Sequence, residues 1–230
     1  MNNLEILKNL IVYNPVNNRI RLGRNIDGGY IIIDGYNYDF FISGGLCEVS
    51  FEEAFAKKYS NVPGVAFDNK FDEPINFPKN VKYIKKTVGA LNDESNTNFR
   101  EYLEKYKDVF IKLDVESGEW NLFPVISDLF VNIKQIVFEA HNILYLPIAL
   151  ECIQMINKTH YLVHVHENNN GALHTIENII YPDLLELTFI RKDCEINGLN
   201  TTNLPIKDLD YPNIPTKIEH NMNIWPFNSK

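Results

Sequence analysis

The sequence has few cysteines, and their positions give little support to a metal-based or disulfide-based scaffold. Cys47, Cys152 and Cys194 are the three cysteines among 230 residues, and none belongs to a C-x-x-C pair. Zinc sites and disulfide frameworks need cysteines that are clustered or paired, and an odd, widely spaced set meets neither requirement. We therefore interpret each cysteine as a small buried apolar residue.

Positive charge is also scarce. The chain has 22 Lys and Arg residues against 30 Asp and Glu residues, which gives a net charge of −8 at pH 7. The one dense lysine stretch, residues 82–86, is short. Because nucleic-acid backbones bind to clustered positive charge, this balance disfavours a nucleic-acid partner.

Long apolar runs are missing as well. No window approaches the roughly 20 consecutive apolar residues that would span a bilayer. Residues 1–8 do not have the basic region followed by a long apolar stretch that marks a secretory signal. We therefore expect a cytoplasmic protein that has no membrane partner.

The sequence does contain enough apolar residues for one sizeable core. Hydrophobic residues make up 45% of the chain and aromatic residues 12%. At this length, one α/β domain is the simplest interpretation. We predict three parts: an N-terminal helix and hairpin in residues 1–37, a core in residues 38–192 and a C-terminal tail in residues 193–230.

The core alternates between strand patterns and helix patterns. The predicted strands are residues 39–43, 62–68, 81–88, 109–114, 133–139, 161–166 and 184–190. The predicted helices are residues 51–59, 99–106, a segment after Asp114 that runs to about Phe130 with Pro124 in or near its first turn, and 147–156. A polar loop, without a helix pattern, separates the last two strands. This order predicts a Rossmann-like α/β fold: a seven-stranded, mainly parallel sheet sandwiched by helices, whose last strand is antiparallel.

The most informative segment is the apolar run at residues 109–113, which stops on acidic residues. Asp114, Glu116 and Glu119 follow it, where the chain leaves the predicted sheet. In open α/β sheets, ligands bind at the carboxyl ends of the strands. The position of these acids therefore predicts a functional site.

Two neighbouring strand ends carry residues that suit a nucleoside. Ser43, Gly44 and Gly45 form a bend after the first core strand, and glycines let a ligand approach the backbone closely. Asp68 ends the second strand, where a carboxylate can accept hydrogen bonds from ribose hydroxyls. The bend lacks the full G-x-G-x-x-G spacing, so a plain turn and a surface Asp remain alternatives.

Several segments, taken in order, resemble S-adenosylmethionine-dependent methyltransferases of the FkbM-like and methyltransferase-like-24 type. The resemblance covers roughly residues 21–192 and departs from the usual E-x-G-x-G pattern at Ser43, where an acidic residue is common. Its motifs are DGGY (27–30), SGGLCEVSFE (43–52), FD (67–68), IKLDVESGEW (111–120), FEAH (138–141) and VHVHENN (163–169).

This resemblance implies S-adenosyl-L-methionine as the cofactor. Ser43, Gly44 and Gly45 would face its methionine part, Asp68 its ribose, and Asn69 with Gly89 and Ala90 its adenine. The acceptor would lie over Asp114. The family's usual acceptors and the His- and Asn-rich site favour O-methylation of a sugar or glycan hydroxyl, or of another small polar molecule.

The catalytic candidates are Asp114, Glu116, His141 and His166, and His141 is the first choice for a general base because its ordinary pKa lies near neutrality. Asp114, Glu139 and His141 could also gather around Mg²⁺ and orient two hydroxyls. The alternative is that Asp114 bonds to the cofactor or to nearby backbone while Glu139 pairs with a lysine.

Two other function classes remain open. A metal-dependent glycosyltransferase would use Asp114 and Glu116 to hold the metal ion of a nucleotide sugar. The second is a binding domain that keeps the fold without catalysis. Motif order favours the methyltransferase.

Overall fold

The computed structural model describes residues 3–46, 48–70 and 77–230, so the prediction for Cys47 lies outside the described residues. Within these ranges, the strands are β1 (Tyr13–Pro15), β2 (Arg19–Leu22), β3 (Tyr30–Ile33), β4 (Phe40–Gly44), β5 (Gly64–Asp68), β6 (Val81–Lys85), β7 (Thr87–Val88), β8 (Asn96–Thr97), β9 (Val109–Leu113), β10 (Ile133–Ala140), β11 (His160–Glu167), β12 (Leu173–Ile176), β13 (Ile179–Pro182), β14 (Leu185–Arg191) and β15 (Ile196–Leu199). The helices are α1 (Asn3–Lys8), α2 (Ser50–Lys58), α3 (Arg100–Leu103), α4 (Glu119–Ile126) and α5 (Pro147–Asn157), with a 3₁₀ helix at Ser127–Asn132.

The described strands include a seven-stranded sheet in the order β11-β14-β10-β9-β4-β5-β6. The pairs β4 with β5, β5 with β6, β4 with β9 and β9 with β10 are parallel. Strand β14 is antiparallel to both of its neighbours, β10 and β11. The predicted fold class is therefore confirmed. A hairpin, β12 with β13, replaces a crossover helix before β14, and this allows the last strand to return antiparallel.

Successive residues of the central strands point to opposite faces of the sheet, and each face has its own apolar cluster. Phe110 packs with Phe41 and residues of α2, whereas Ile111 packs with residues of α4 and α5 on the other face. Burial on both faces explains why these strands are continuous apolar runs rather than alternating ones. The sandwich positions the carboxyl ends of the parallel strands β4, β5, β6, β9 and β10 at one edge of the core.

Three parts of the chain differ from the sequence-based predictions. The third predicted strand is divided into β6 and β7, and α3 has only four residues. The hairpin β12–β13 occupies the predicted polar loop, and β15 in the tail pairs with β1. The predicted tail is thus attached to the N-terminal part by backbone hydrogen bonds.

Helix α4 is shorter than predicted and contains Pro124 in its interior. Proline has no N–H, so the carbonyl of Trp120 loses its usual helical donor. The thiol of Cys152 on α5 lies 3.5 Å from that carbonyl oxygen and donates to it. Cys152 and Cys194 are both buried, and neither forms a disulfide. Among the described residues, no helix has the length and apolar character to cross a membrane.

Candidate active site

The carboxyl ends of β4, β5 and β9 form one open cleft of about 130 Å³. Gly45 and Asp68 line it where β4 and β5 end, and Asp114 lines it after β9. Phe67, Asn69, Lys70, Lys86, Thr87, Val88, Val115 and Glu116 complete the lining. Gly45, Asp68 and Asn69, predicted for the cofactor, therefore line the same cleft as Asp114 and Glu116, predicted for catalysis.

The glycine bend brings β4 and β9 close together. Gly45 has φ +83, and a Cβ atom there would overlap the carbonyl oxygen of Asp114. The Gly44 carbonyl accepts a hydrogen bond from the Asp114 amide at 2.8 Å, and the buried Lys112 ammonium donates to the Gly45 carbonyl at 2.7 Å. A left-handed backbone at such close approach requires glycine at position 45.

Asp68 is fixed on the cleft wall by backbone amides. Its Oδ2 accepts from the Leu46 amide at 2.9 Å, and its Oδ1 accepts from the Lys70 amide at 2.6 Å. Next to it, the Asn69 side chain donates to the Thr87 hydroxyl at 2.9 Å. These contacts hold an acid and an amide at the end of β5.

The remaining residues predicted for the cofactor lie near the cleft but do not line it. Ser43 is fully buried, and its hydroxyl donates to Glu52 on α2 at 2.5 Å, so its side chain is directed away from the cleft. Gly89 and Ala90 follow the lining residue Val88 in the chain. The Gly89 amide donates to Thr97, and the Ala90 carbonyl accepts from Asn98.

Asp114, Glu139 and His141 form a compact cluster, and we name these three residues the acid–histidine cluster. One side-chain ligand atom of each lies within 4.8 Å of the others. Asp114 follows β9, Glu139 is the second-last residue of β10, and His141 follows β10. Because β9 and β10 are adjacent and parallel, their ends bring the three side chains together.

Each member of the cluster is held by one partner outside it. The Tyr30 hydroxyl donates to Asp114 Oδ2 at 3.1 Å, and the Asn168 amide donates to Glu139 Oε1. The Nδ1 atom of His141 lies 3.2 Å from Glu119 Oε1. The remaining side-chain atoms of Glu139 and His141, Oε2 and Nε2, face each other at 2.9 Å.

The first two residues of α4 fix the backbone of His141. Glu119 Oε1 accepts from the His141 amide at 3.0 Å, and the Trp120 indole N–H donates to the His141 carbonyl at 2.7 Å. Both residues are almost completely buried. Glu119 and Trp120 therefore hold the backbone of His141, which follows the neighbouring strand β10.

The cluster carries an excess of negative charge, and this shifts its pKa values. Burial lowers the pKa of His141, but hydrogen bonds to Glu119 and Glu139, together with their charges, raise it to about 11. Burial raises the pKa of Glu139 to about 7; the charge of Asp114 adds to this and the hydrogen bond from His141 opposes it. The imidazole thus holds its proton at neutral pH when no cation is bound.

Two loops at this edge have left-handed backbone. Glu116 and Ser117 follow β9 with φ of 53 and 74, and Asn142 follows β10 with φ of 53. The Asn142 amide donates to the Ser117 hydroxyl at 3.3 Å and joins the two loops. The exposed Glu116 carboxylate lies 3.5 Å from His141 Nε2. Non-glycine residues in this conformation are concentrated at functional sites in proteins.

His166 belongs to a different group of side chains. Its Nδ1 lies 3.0 Å from Glu186 on β14, and its Nε2 lies 2.8 Å from Glu219 in the tail. Burial lowers its pKa, but the two hydrogen bonds and the nearby charges raise it to about 10. Both ring nitrogens have partners, and the side chain is 1% exposed.

Sequence reasoning assigned no role to Tyr30, Trp120 or Asn168, and it noted Glu119 only as one of the acids after the strand at residues 109–113. All four belong to segments that carried the resemblance, namely DGGY, ESGEW and HENN. The sequence signal for these residues was therefore their presence in these motifs. The contacts that give these residues a role join strands distant in sequence, and spacing alone does not reveal such contacts.

No protein-family model matches this sequence, and no curated protein matches it. Solved structures similar to the chain include a fibrillarin/Nop5p complex, at 10% identity and a TM-score of 0.45, covering 70% of this chain and 76% of that chain. A predicted O-methyltransferase from Agrobacterium tumefaciens is 11% identical with a TM-score of 0.38, covering 84% of this chain and 81% of that chain. A precorrin-6y C5,15-methyltransferase from Geobacter metallireducens is 12% identical with a TM-score of 0.37, covering 81% and 84%. Similarities this weak do not support a function, and none is inferred from them.

Proposed function

We propose that the protein is an S-adenosylmethionine-dependent methyltransferase that acts on a hydroxyl oxygen of a small polar acceptor, with sugars as the first class to test. One observation carries this proposal: Asp114 belongs both to the cleft with the glycine bend and Asp68 and to the acid–histidine cluster. A nucleoside cofactor bound in the cleft would therefore end beside a group of acid and base side chains.

The cofactor would lie along the ends of β4, β5 and β6. The methionine part would rest on the backbone of Gly44 and Gly45, whose bend gives close access. Asp68 would accept hydrogen bonds from the ribose hydroxyls. Asn69, with Gly89 and Ala90, remains proposed for the adenine. The hydroxyl of Ser43 donates a hydrogen bond to Glu52. Only the backbone of Ser43 would therefore contact the methionine part.

The acceptor would bind over Asp114, in line with the methyl group. In the transfer, the hydroxyl oxygen forms a bond to the methyl carbon, the carbon–sulfur bond breaks and sulfur keeps the electron pair. The hydroxyl proton goes to the coupled pair of Glu139 and His141. The raised pKa of His141 means that the imidazole alone is already protonated, whereas Glu139, with a pKa of about 7, suits proton acceptance near neutral pH.

The acid–histidine cluster also fits a divalent cation, which would take Glu139 and His141 as ligands and would replace their role as proton acceptors. Two carboxylates and one imidazole are a common donor set for such ions, and a bound cation would lower the pKa of an acceptor hydroxyl. Mg²⁺ strongly prefers oxygen ligands, whereas the imidazole suits first-row transition ions. We therefore propose a cation such as Mn²⁺ in place of the Mg²⁺ that the sequence suggested.

The glycosyltransferase remains the second candidate because Lys70 and Lys86 lie on the cleft. A lysine can bind phosphate oxygens, although the Lys86 ammonium already donates to the Asp93 carbonyl at 2.6 Å. A nucleotide sugar would place its diphosphate near these lysines and its metal near Asp114 and Glu116. A binding domain without catalysis would hold the cofactor and transfer nothing.

Calorimetric titration with S-adenosylhomocysteine tests the proposal. We expect binding to the parent protein and a ten- to hundredfold loss of affinity in Asp68→Ala, since two lost ribose hydrogen bonds cost roughly 1.5 to 3 kcal/mol. Asp128→Ala, which removes an exposed carboxylate paired with Arg100, is the matched control and should bind normally.

Other results would change the assignment. Unchanged affinity in Asp68→Ala would reject the ribose position. Tight binding of UDP-glucose without binding of S-adenosylhomocysteine would favour the glycosyltransferase. Cofactor binding without transfer of a labelled methyl group to any of a broad panel of sugars and other small hydroxyl compounds would favour the binding domain.

A further inference from the structure

We propose that Tyr30, Glu119 and Asn168 are positioning residues for a divalent cation at the acid–histidine cluster. Each holds one ligand side chain from behind and leaves one ligand atom for the ion. This inference rests on the cation of the proposed function and goes beyond it, because none of the three residues belongs to the cluster itself. Metal-ligand side chains in proteins are commonly oriented by such outer hydrogen bonds.

Tyr30 fixes Asp114. It begins β3, outside the seven-stranded sheet, and its ring is fully buried edge-on against Phe51 at 5.7 Å between centroids. A phenol carries its proton at neutral pH, so the buried hydroxyl acts as a donor. Its single O–H is directed to Asp114 Oδ2, which leaves Oδ1 for the ion.

Glu119 fixes the imidazole of His141. A carboxylate 3.2 Å from Nδ1 favours the tautomer that carries its hydrogen there, so that Nε2 can present a lone pair to a cation. The same Oε1 atom accepts from the His141 backbone amide. Glu119 thus sets both the position and the ring orientation of this ligand.

Asn168 fixes Glu139. Its own side-chain oxygen accepts from the Asn170 amide at 3.0 Å, and this determines which end of the side-chain amide faces Glu139. The NH₂ group therefore donates to Glu139 Oε1 and leaves Oε2 facing His141 Nε2. Glu139 Oε2 and His141 Nε2, the two atoms left for the ion, are hydrogen-bonded to each other, and a cation would take the place of the shared proton.

The local charge supports a cation at this position. Asp114, Glu119 and Glu139 supply three carboxylates around a single imidazole. The second oxygen of Glu119, Oε2, is buried and has no hydrogen-bond partner. Uncompensated buried negative charge is costly, and a bound divalent cation is an effective way to balance it.

Binding of Mn²⁺ alone, measured by calorimetry and by the electron paramagnetic resonance signal of the free ion, tests the proposal. We expect one site in the parent protein and a roughly ten- to hundredfold weaker site in Tyr30→Phe, Glu119→Gln and Asn168→Ala. Tyr181→Phe is a matched control because it also removes a buried phenol hydroxyl, bonded to the Trp225 carbonyl. Glu53→Gln on the exposed side of α2 is the control for Glu119.

The outcomes distinguish the cation site from the proposed methyltransferase activity. No Mn²⁺ site in a parent protein that binds S-adenosylhomocysteine would overturn the cation and this inference, while the methyltransferase proposal would survive. A parent site with unchanged affinity in all three variants would show that these residues only support the fold. Tyr30→Phe, which deletes one oxygen atom, decides the matter if the other variants do not fold; its unchanged affinity for S-adenosylhomocysteine would show that the cleft is intact.

Discussion

His141 and His166 occupy comparable positions in the sheet but have different surroundings. Each lies near the carboxyl end of a strand beside β14, His141 contacts three carboxylates and His166 two, and each has a raised pKa. His141 adjoins Asp114 at the open cleft, whereas His166 lies beneath Glu219 of the tail. The same chemistry therefore forms a candidate ligand site where the edge is open and a tertiary contact where the tail covers it.

The tail is tied to β11 through ionisable pairs. Besides the bond from His166 to Glu219, His164 contacts Asp210 at 2.9 Å and Glu167 contacts His220 at 3.0 Å. The tail sequence shows no regular apolar pattern beside these contacts. We infer that the histidines of β11 stabilise the fold, and that the histidine after β10 serves the reaction.

The largest expected effect is on catalysis. Replacing His141 by alanine removes the hydrogen-bond partner of Glu139, the proposed proton acceptor, and loss of general-base catalysis typically lowers the rate about 10² to 10⁴-fold. We expect this loss in transfer of a labelled methyl group to a hydroxyl acceptor, with affinity for S-adenosylhomocysteine retained. His166→Ala, assayed per folded molecule, should keep most of the turnover. The reverse result would show that His166, and not His141, serves the reaction.

The second effect is on stability. Breaking a buried charged pair by removing one partner costs about 3 kcal/mol, so His166→Ala should lower the free energy of unfolding in urea by about this amount. His174→Ala removes a more exposed contact with Asp183 and should cost about 1 kcal/mol or less. Equal losses in the free energy of unfolding for the two variants would show that His166 makes no special contribution to holding the tail.

The third and smallest effect is a pH dependence. The pKa of His166 is raised to about 10, so its contribution to stability is complete below its unfolded pKa, about 6.5, and is lost as the pH rises through 10. The stability difference between the parent and His166→Gln should therefore shrink with rising pH, by up to about 1.4 kcal/mol per pH unit. Urea unfolding at pH 7, 8 and 9 measures it. A constant difference would mean that His166 is neutral in the folded protein.

Much of the fold could be predicted because buried strands have a strong signature. Four of the five residues in the run 109–113 are apolar, they lie on both sides of the strand, and the run forms β9 at the centre of the sheet. The hairpin β12–β13 was missed because it is mostly exposed, so selection for an apolar face is weak there. The position of the tail could likewise not be predicted from the sequence, since side-chain hydrogen bonds attach it to the sheet.

The candidate site was only partly readable from the sequence. Acids at the ends of β9 and β10 were visible because strand ends are predictable, and the structure brings Asp114, Glu139 and His141 together. The orientation of Ser43 depends on the two-residue period of β4, which places it on the same face as Phe41, toward α2. The pKa of His141 depends on Glu119, whose contact with the ring requires the folded arrangement of α4 against β10.

The Trp120 contact has a practical consequence for spectroscopy. The chain has two tryptophans: Trp120 is buried with its indole bonded to the His141 carbonyl, and Trp225 is 44% exposed. A Trp225→Phe protein would therefore contain a single intrinsic fluorophore, positioned directly behind the acid–histidine cluster. Its emission would provide a label-free optical signal for events at that cluster, including rapid mixing experiments for which no acceptor needs to be known.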